Sequence, residues 1–137
     1  MPKGFQVAGR VEPDNRRIVF SIRGDIDSRM LIDRYIEIYA EVADPWTYDR
    51  VFDYRRADGL VERDDVARIA AWWAQRIPAD CPETKVAVIV NNALDLARAR
   101  SVSDLFPKDV RQTFLSIDDA LSWLGEGRSS ENLIPKR

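Results

Sequence analysis

The segment from residue 84 to residue 124 constrains the fold more than any other part of this chain. It starts with a continuous apolar run, KVAVIV at residues 85–90, which ends at Asn91 and Asn92. A helical pattern follows, with Leu94 and Ala97 predicted to face inward. A second short strand at residues 111–115 and a closing helical pattern at residues 118–125 come next. Parallel strands need a long crossover, usually a helix, so this order predicts a βαβ unit with a parallel strand pair.

The N-terminal half predicts a hairpin and two more helices. Apolar and polar residues alternate over residues 5–11 and again over residues 18–22, as in strands with one covered face. The turn residues 12–15 (EPDN) separate them. Asp27 or Ser28 is predicted to cap the helix that follows the hairpin. Apolar residues then recur at helical spacing on both sides of a third strand, predicted at residues 48–54 and followed by a polar turn at residues 55–59.

The predicted order is therefore β-β-α-β-α-β-α-β-α. It indicates an α/β protein, at the boundary with α+β, in which an N-terminal antiparallel hairpin and the following βα units form a five-stranded mixed sheet with helices packed on it. Residues 1–125 are predicted to form a single domain, as expected for a chain of 137 residues. Gly125 is predicted to end the last helix, and residues 126–137 to be a flexible C-terminal tail.

The complete absence of histidine excludes several classes of chemistry. It removes the commonest general base near neutral pH and the commonest metal ligand, and it rules out Ser-His and Cys-His nucleophile pairs within the chain. A zinc site would need Cys81 together with carboxylates, an unusual ligand set. Neither a GxGxxG nor a GxxxxGK[ST] phosphate-binding loop occurs. We therefore predict a protein that is not an enzyme and uses no cofactor or metal.

Composition predicts an ordinary cytoplasmic protein. The chain is 45% hydrophobic and 32% charged, and its net charge of −2 with scattered basic residues argues against nucleic-acid binding. No apolar run approaches the roughly 20 residues that cross a bilayer, and residues 1–4 lack the apolar stretch of a secretory signal. The lone Cys81 cannot form an internal disulfide, which suits a reducing compartment.

The end of the chain resembles a known family. Residues 114–124 (FLSIDDALSWL) place an aromatic strand residue before a helix that Ser116 is predicted to cap and that has the pattern Ala-x-x-Trp-Leu. Together with the strand at residues 86–90 and the element order, this ending resembles the SpoIIAA-like proteins, small bacterial members of the STAS group (sulfate transporters and anti-sigma factor antagonists). The resemblance implies the same fold and a regulatory role through protein contacts. Ala120, Trp123 and Leu124 lie three and four residues apart, so they are also predicted to pack on the sheet.

The resemblance does not bring a phosphorylation switch with it. In STAS proteins a Ser or Thr near the start of the helix after the third strand is phosphorylated, which changes partner binding. The corresponding residues 58–65 (DGLVERDD) contain no hydroxyl, and neither Ser nor Thr occurs from Arg55 to Glu83. Asp58 or Asp64 is a candidate for a fixed negative charge there, although acidic residues at the start of a helix more often serve as caps.

The second helix carries a candidate interaction surface. Trp72 lies on the line Arg68–Trp72–Arg76 at spacings of four, an arrangement in which guanidinium groups can stack over an indole. An exposed Trp flanked by Arg is typical of an interface anchor. The alternative is that Trp72 half-buries against a neighbouring helix. With Asp58, these residues predict a contact surface for a protein partner or for a second copy of the chain.

A second hypothesis is a carrier for a small apolar or lipid-like molecule. The fold resembles that of CRAL-TRIO lipid-exchange domains, and aromatic residues are frequent enough to line a cavity. Trp46, on a loop before the third strand, either covers the end of the sheet or lines such a pocket. Asn91 and Asn92 join a strand end to a helix start, where α/β sheets bind ligands, although ordinary capping also explains them. Trp46, Asn91 and Asn92 are therefore the predicted edge of a ligand site.

Overall fold

The elements follow the predicted order in a computed structural model, which describes residues 4–133 and the side chains of residues 4–126. In that part of the chain the strands are β1 (Gln6–Glu12), β2 (Arg17–Asp25), β3 (Asp49–Asp58), β4 (Thr84–Ile89) and β5 (Asp109–Phe114). The helices are α1 (Ser28–Ala40), α2 (Arg63–Ala74), α3 (Ala93–Arg100) and α4 (Ile117–Leu133). No helix among these residues is long and apolar enough to span a membrane.

The strands form one mixed sheet in the order β1-β2-β3-β4-β5. β1 is antiparallel to β2, and the pairs β2–β3, β3–β4 and β4–β5 are all parallel. The predicted five-stranded sheet with its N-terminal hairpin is thereby confirmed. Because each crossover leads to the next strand along the sheet, the right-handed rule brings α1, α2 and α3 to the same face.

That first face of the sheet carries an aromatic core. Phe20 of β2 and Phe52 of β3 stack with their centroids 4.8 Å apart, and Tyr35 and Tyr39 of α1 meet Phe20 edge-on at 5.0 and 5.3 Å. Trp73 of α2 packs against Tyr39 at 4.8 Å. The apolar stripes that the sequence shows at helical spacing in α1 and α2 are therefore the faces that these helices bury against the sheet.

The second face of the sheet is covered by α4 over its β3–β5 half. Ala120 and Leu124 of α4 are fully buried against Val51 and Ala87, and Trp123 packs on Phe114 with centroids 5.5 Å apart. The predicted packing role of the Ala-x-x-Trp-Leu pattern is confirmed. The hairpin half of this face stays open, with exposed polar side chains.

Two predicted helix starts are confirmed by their caps. Asp27 caps α1, since its Oδ1 accepts a hydrogen bond from the Met30 N–H at 3.1 Å. Ser116 Oγ accepts one from the Asp119 N–H at 3.3 Å at the start of α4. Both caps satisfy N–H groups that a helix leaves without an internal partner.

Three local predictions are wrong. The polar turn expected at residues 55–59 is mostly strand, because β3 continues to Asp58 and pairs there with the end of β2; only Gly59, with φ +111°, remains as the turn. Leu94 is not part of the core but is exposed, whereas Leu96 and Ala99 of α3 contact the core. Gly125 does not end α4, which continues to Leu133; residues 134–137 lie outside the described part.

Candidate functional site

A cavity of about 130 Å³ lies between the first face of the sheet and helices α1, α2 and α3. Most of its wall is apolar and comes from the sheet and all three helices: Phe52, Val88, Val90, Ile32, Ile69 and Ala99. Asp95 and Arg98 of α3 also line it, and they face each other in an ion pair of 3.4 Å. The cavity therefore combines an aliphatic and aromatic interior with a few charged groups.

Three charged side chains converge on one end of the cavity wall. Arg50 of β3 and Arg111 of β5 both pair in register with Val86 of β4, so the two arginines lie in one row across the sheet. Asp109 lies between their guanidinium groups: its Oδ1 is 2.5 Å from Arg50 Nη2, and its Oδ2 is 3.3 Å from Arg111 Nη1. Their side chains are 3% (Arg50), 2% (Asp109) and 14% (Arg111) exposed. This is an ion cluster inside the protein.

Aromatic rings cover the flat faces of both guanidinium groups. The Arg50 guanidinium carbon lies 4.4 Å from the centroid of the Trp73 ring, and that of Arg111 lies 4.8 Å from the Phe106 ring. Rings over the faces leave the edges of the guanidinium groups, which carry the N–H donors, for hydrogen bonds. Thr84 Oγ1 accepts one of these from Arg50 Nη2 at 3.0 Å.

Some residues that line the cavity carry a buried N–H donor without a partner. Within residues 4–126, four buried side-chain nitrogens lack a hydrogen bond, and three of them belong to residues that line the cavity: Arg50 Nε, Arg111 Nε and Trp73 Nε1. Leaving a buried donor without an acceptor costs its full desolvation free energy, and proteins rarely do so. The residues around the ion cluster therefore keep buried donors that the protein itself does not satisfy.

The two arginines of the cluster are not equally well compensated. Burial alone would lower the pKa of Arg50, but Tyr39 and the Asp109 carboxylate outweigh it and the pKa is raised. Burial also lowers the pKa of Arg111, and there Asp109 offsets it only partly while Arg50 adds repulsion. Asp109 therefore acts mainly as the partner of Arg50, and Arg111 is the cation with the weaker counter-charge.

Three tyrosines supply neutral hydroxyl groups to the cavity. Tyr35 and Tyr54 lie with their hydroxyl oxygens 2.7 Å apart, and Tyr39 also lines the cavity. Burial raises the pKa of Tyr54 to about 12, raises that of Tyr39, and raises that of Tyr35 well above its usual range with help from Tyr54. Whichever hydroxyl of the Tyr35–Tyr54 pair donates, the other keeps its proton to donate elsewhere.

The predicted interaction residues lie outside this cavity. Trp72 is half-buried and stacks on Tyr39 of the neighbouring helix with centroids 6.1 Å apart, and the Arg76 guanidinium carbon lies 4.3 Å from the centroid of the Trp72 ring. Arg68 turns away to bind Asp33 of α1 at 2.7 Å. Asp58 lies at the end of β3, in register with Asp25. The structure thus brings Trp72 and Arg76 together and leaves Arg68 and Asp58 in other contacts.

The predicted ligand-site edge does not line the cavity. Trp46 packs edge-on against Trp73 at 6.1 Å, and its carbonyl accepts a hydrogen bond from the Cys81 thiol. Asn92 caps α3 by accepting from the Asp95 N–H at 2.9 Å, and Asn91 Nδ2 donates to the Arg55 carbonyl. None of these three residues is among the described residues of the cavity wall. The wall instead contains Arg50, Asp109 and Arg111, which the sequence had not indicated as site residues.

Comparison with known proteins identifies the fold. No family model matches the sequence, and curated proteins gave no match. A crystal structure of an uncharacterised DUF3478-family protein with a SpoIIAA-like fold, from Shewanella loihica PV-4, matches with a TM-score of 0.58 and 18% identity, over 89% of this chain and 94% of that chain. A crystal structure of an anti-sigma factor antagonist from Mycobacterium paratuberculosis matches with a TM-score of 0.55 and 15% identity, over 90% of this chain and 97% of that chain. The chain has the SpoIIAA-like fold.

Proposed function

We propose that this protein is a non-enzymatic regulatory module that works by binding a small molecule in the cavity between the sheet and helices α1–α3. The observation that carries the proposal is the cavity itself, which has mainly apolar walls and a few convergent polar groups. That combination is characteristic of small-molecule sites. Arg50 and the three tyrosines hold their protons near neutral pH, and the carboxylates of Asp95 and Asp109 are each bound to an arginine, so these groups suit binding better than proton transfer.

The volume favours a compact ligand over a long-chain lipid. Drug-sized ligands occupy pockets of roughly 300–1,000 Å³. An apolar cavity of about 150 Å³ accepts a molecule of the size of benzene. At about 130 Å³, this cavity fits a single ring or a short branched chain.

A pair of substitutions in α3 tests whether the cavity binds ligands. Ala99 lines the cavity and Ala97, on the same helix, is exposed, so Ala99→Leu fills the space while Ala97→Leu leaves it open. Binding is measured for two probes of nearly equal size, neutral benzamide and anionic benzoate, by chemical-shift changes in NMR spectra of the full chain. We expect at least one probe to shift cavity signals in wild type and Ala97→Leu, and neither to do so in Ala99→Leu. Absence of binding by both probes to the wild type contradicts the proposal, as does equal binding to Ala99→Leu.

A second candidate function is protein contact through the outer surface of α2. The observation that favours it is the pair of Arg76 and Trp72, which leaves a partly exposed aromatic and cationic surface beside Arg68. One protein with the same fold is an anti-sigma factor antagonist, a name that implies a protein partner. Either a protein partner or a second copy of this chain would bind there, and the cytoplasm is the compartment we propose for both functions.

A further inference from the structure

We propose that the ligand of the cavity is a compact carboxylate, an aromatic or short branched acid, whose anionic group binds the Arg50–Arg111 edge and whose apolar body fills the space beside Phe52, Ile69 and Val88. This inference rests on the proposed small-molecule function and names the chemical class of the ligand.

The first argument is the charge balance of the buried cluster. Arg50 and Arg111 carry two positive charges, and Asp109 supplies one negative charge that it shares between them through its two oxygens. The other charged residues of the cavity wall, Asp95 and Arg98, pair with each other and cancel. Among the described residues of the cavity wall, one positive charge is therefore left unbalanced in a largely buried site, where an unbalanced charge is costly. A ligand with one negative charge removes that cost.

The second argument is the pattern of free donors. Nε of Arg50, Nε of Arg111 and Nε1 of Trp73 are buried without a partner, and each belongs to a residue that lines the cavity. A carboxylate presents two oxygens with about four acceptor positions, a geometry that the edge of a guanidinium group matches. The free hydroxyl of the Tyr35–Tyr54 pair can donate as well. A neutral amide or alcohol offers fewer acceptors and leaves the positive charge uncompensated.

The third argument separates a carboxylate from a phosphate. A phosphate ester brings about −1.5 to −2 charges at neutral pH, which exceeds the single positive charge available here. Three or four phosphate oxygens would also fill much of a space of about 130 Å³ whose remaining walls are apolar. A carboxylate leaves room for a ring or branched chain against those walls. Charge and volume therefore indicate the same class of ligand.

The test compares benzoate with benzamide, which have nearly the same size and shape and differ in charge. Dissociation constants are measured by NMR titration of the purified full chain at pH 7.5. We expect benzoate to bind at least about tenfold more tightly, because hydrogen bonds to a charged group are the stronger ones. Equal binding of the two probes overturns the inference and leaves the proposed function intact. Failure of both probes overturns both.

Substitutions of Arg111 show whether that residue is the source of the preference. Arg111→Gln leaves Arg50 and Asp109 as a balanced pair, so the fold is expected to survive while the preference for benzoate disappears. Arg111→Lys keeps the charge and should restore part of the preference. Arg100→Gln, an exposed residue of α3 away from the cavity wall, controls for the loss of one positive charge and should bind as the wild type does. A full preference for benzoate in Arg111→Gln overturns the inference.

Discussion

Trp72 and Trp73 are consecutive residues, and each has an arginine over its ring at almost the same distance, 4.3 Å for Arg76 and 4.4 Å for Arg50. Their surroundings differ. Trp73 is 5% exposed and Arg50 is 2% exposed, whereas Trp72 is half-buried and Arg76 is exposed. Two contacts with almost the same distance therefore lie at adjacent positions of one helix, one in the cavity wall and one at the surface, and both rings also contact Tyr39.

The comparison shows that burial, rather than the contact with the ring, decides whether the arginine needs other protein groups to compensate its charge. At the surface, water solvates Arg76 whatever its neighbours do, and the stacking contributes about 0.5–1 kcal/mol. In the interior, Arg50 has lost its water and needs the Asp109 carboxylate, the Thr84 hydroxyl and the ring together. The interior pair is therefore part of a buried ionic network, whereas the surface pair makes ring contacts with its neighbours, those of Trp72 with Tyr39 and Trp73.

The largest effect is expected from Trp73→Ala. It opens a cavity in the core and also removes the ring that covers Arg50, so the free energy of unfolding should fall by about 3–5 kcal/mol. Urea unfolding followed by circular dichroism measures the change. A loss below about 1 kcal/mol would show that the interior pair is no more coupled than the surface pair.

The next largest effect is expected from Asp109→Asn. The substitution keeps the shape but leaves Arg50 and Arg111 buried without a carboxylate, and we expect a loss of about 3 kcal/mol in the free energy of unfolding. Asp33→Asn is the matched control, because Asp33 also pairs with an arginine, Arg68, but at an exposed site. It should cost less than about 1 kcal/mol. Equal losses in the two variants would contradict a buried, coupled cluster.

A smaller effect is expected from alkaline pH. Burial raises the pKa of Tyr54 to about 12, so the folded protein keeps a proton that the unfolded chain releases near pH 10. The stabilisation is fully present below pH 10 and is lost as pH rises through 12, by roughly 2–3 kcal/mol from this residue. Urea unfolding between pH 8 and pH 12 measures it, with Tyr54→Phe showing a smaller fall. A free energy of unfolding that stays constant to pH 12 would contradict the buried position of the hydroxyl.

The sequence predicts the architecture because each element has a local signal. Alternation at residues 5–11 and 18–22, the apolar run at residues 85–90, and the caps at Asp27 and Ser116 are all read within a few residues. Where the local signal is weak, the prediction is wrong. Residues 55–58 look like a turn because their side chains are polar, yet their backbone pairs with β2, a strand about 30 residues earlier in the chain.

The cavity has a weaker signature in the sequence. Arg50 occupies the same phase of the third strand as Phe52 and Tyr54, so a charged residue on the covered face of that strand is visible in the pattern. Its partners are not visible, because Asp109 and Arg111 reach it only through the register of β3, β4 and β5. The register between distant strands depends on the whole sheet. Local patterns can therefore indicate that Arg50 is buried, but they cannot identify Asp109 as its counter-ion.

The smallest effect on stability is expected from Trp72→Ala. Trp72 contacts Tyr39 and Arg76 but remains partly in solvent, so its removal should lower the free energy of unfolding by only about 1 kcal/mol. If the outer surface of α2 binds a partner or a second copy, the same substitution should reduce association, because a partly exposed Trp beside arginines is a typical anchor. Sedimentation equilibrium of the wild type and the variant measures self-association.

Arg76→Ala separates the two roles of the surface pair. It removes the guanidinium group from the Trp72 ring and from the Trp72 carbonyl, which accepts a hydrogen bond from Arg76 Nη1 at 2.8 Å, but leaves the stack on Tyr39 in place. If both residues anchor an interface, Trp72→Ala and Arg76→Ala should both weaken association. If the Trp72 ring only packs on α1, Trp72→Ala should lower the free energy of unfolding and neither variant should change association. A stability loss in Trp72→Ala as large as that in Trp73→Ala would instead make the two tryptophans parts of one core, and the contrast between them would be wrong.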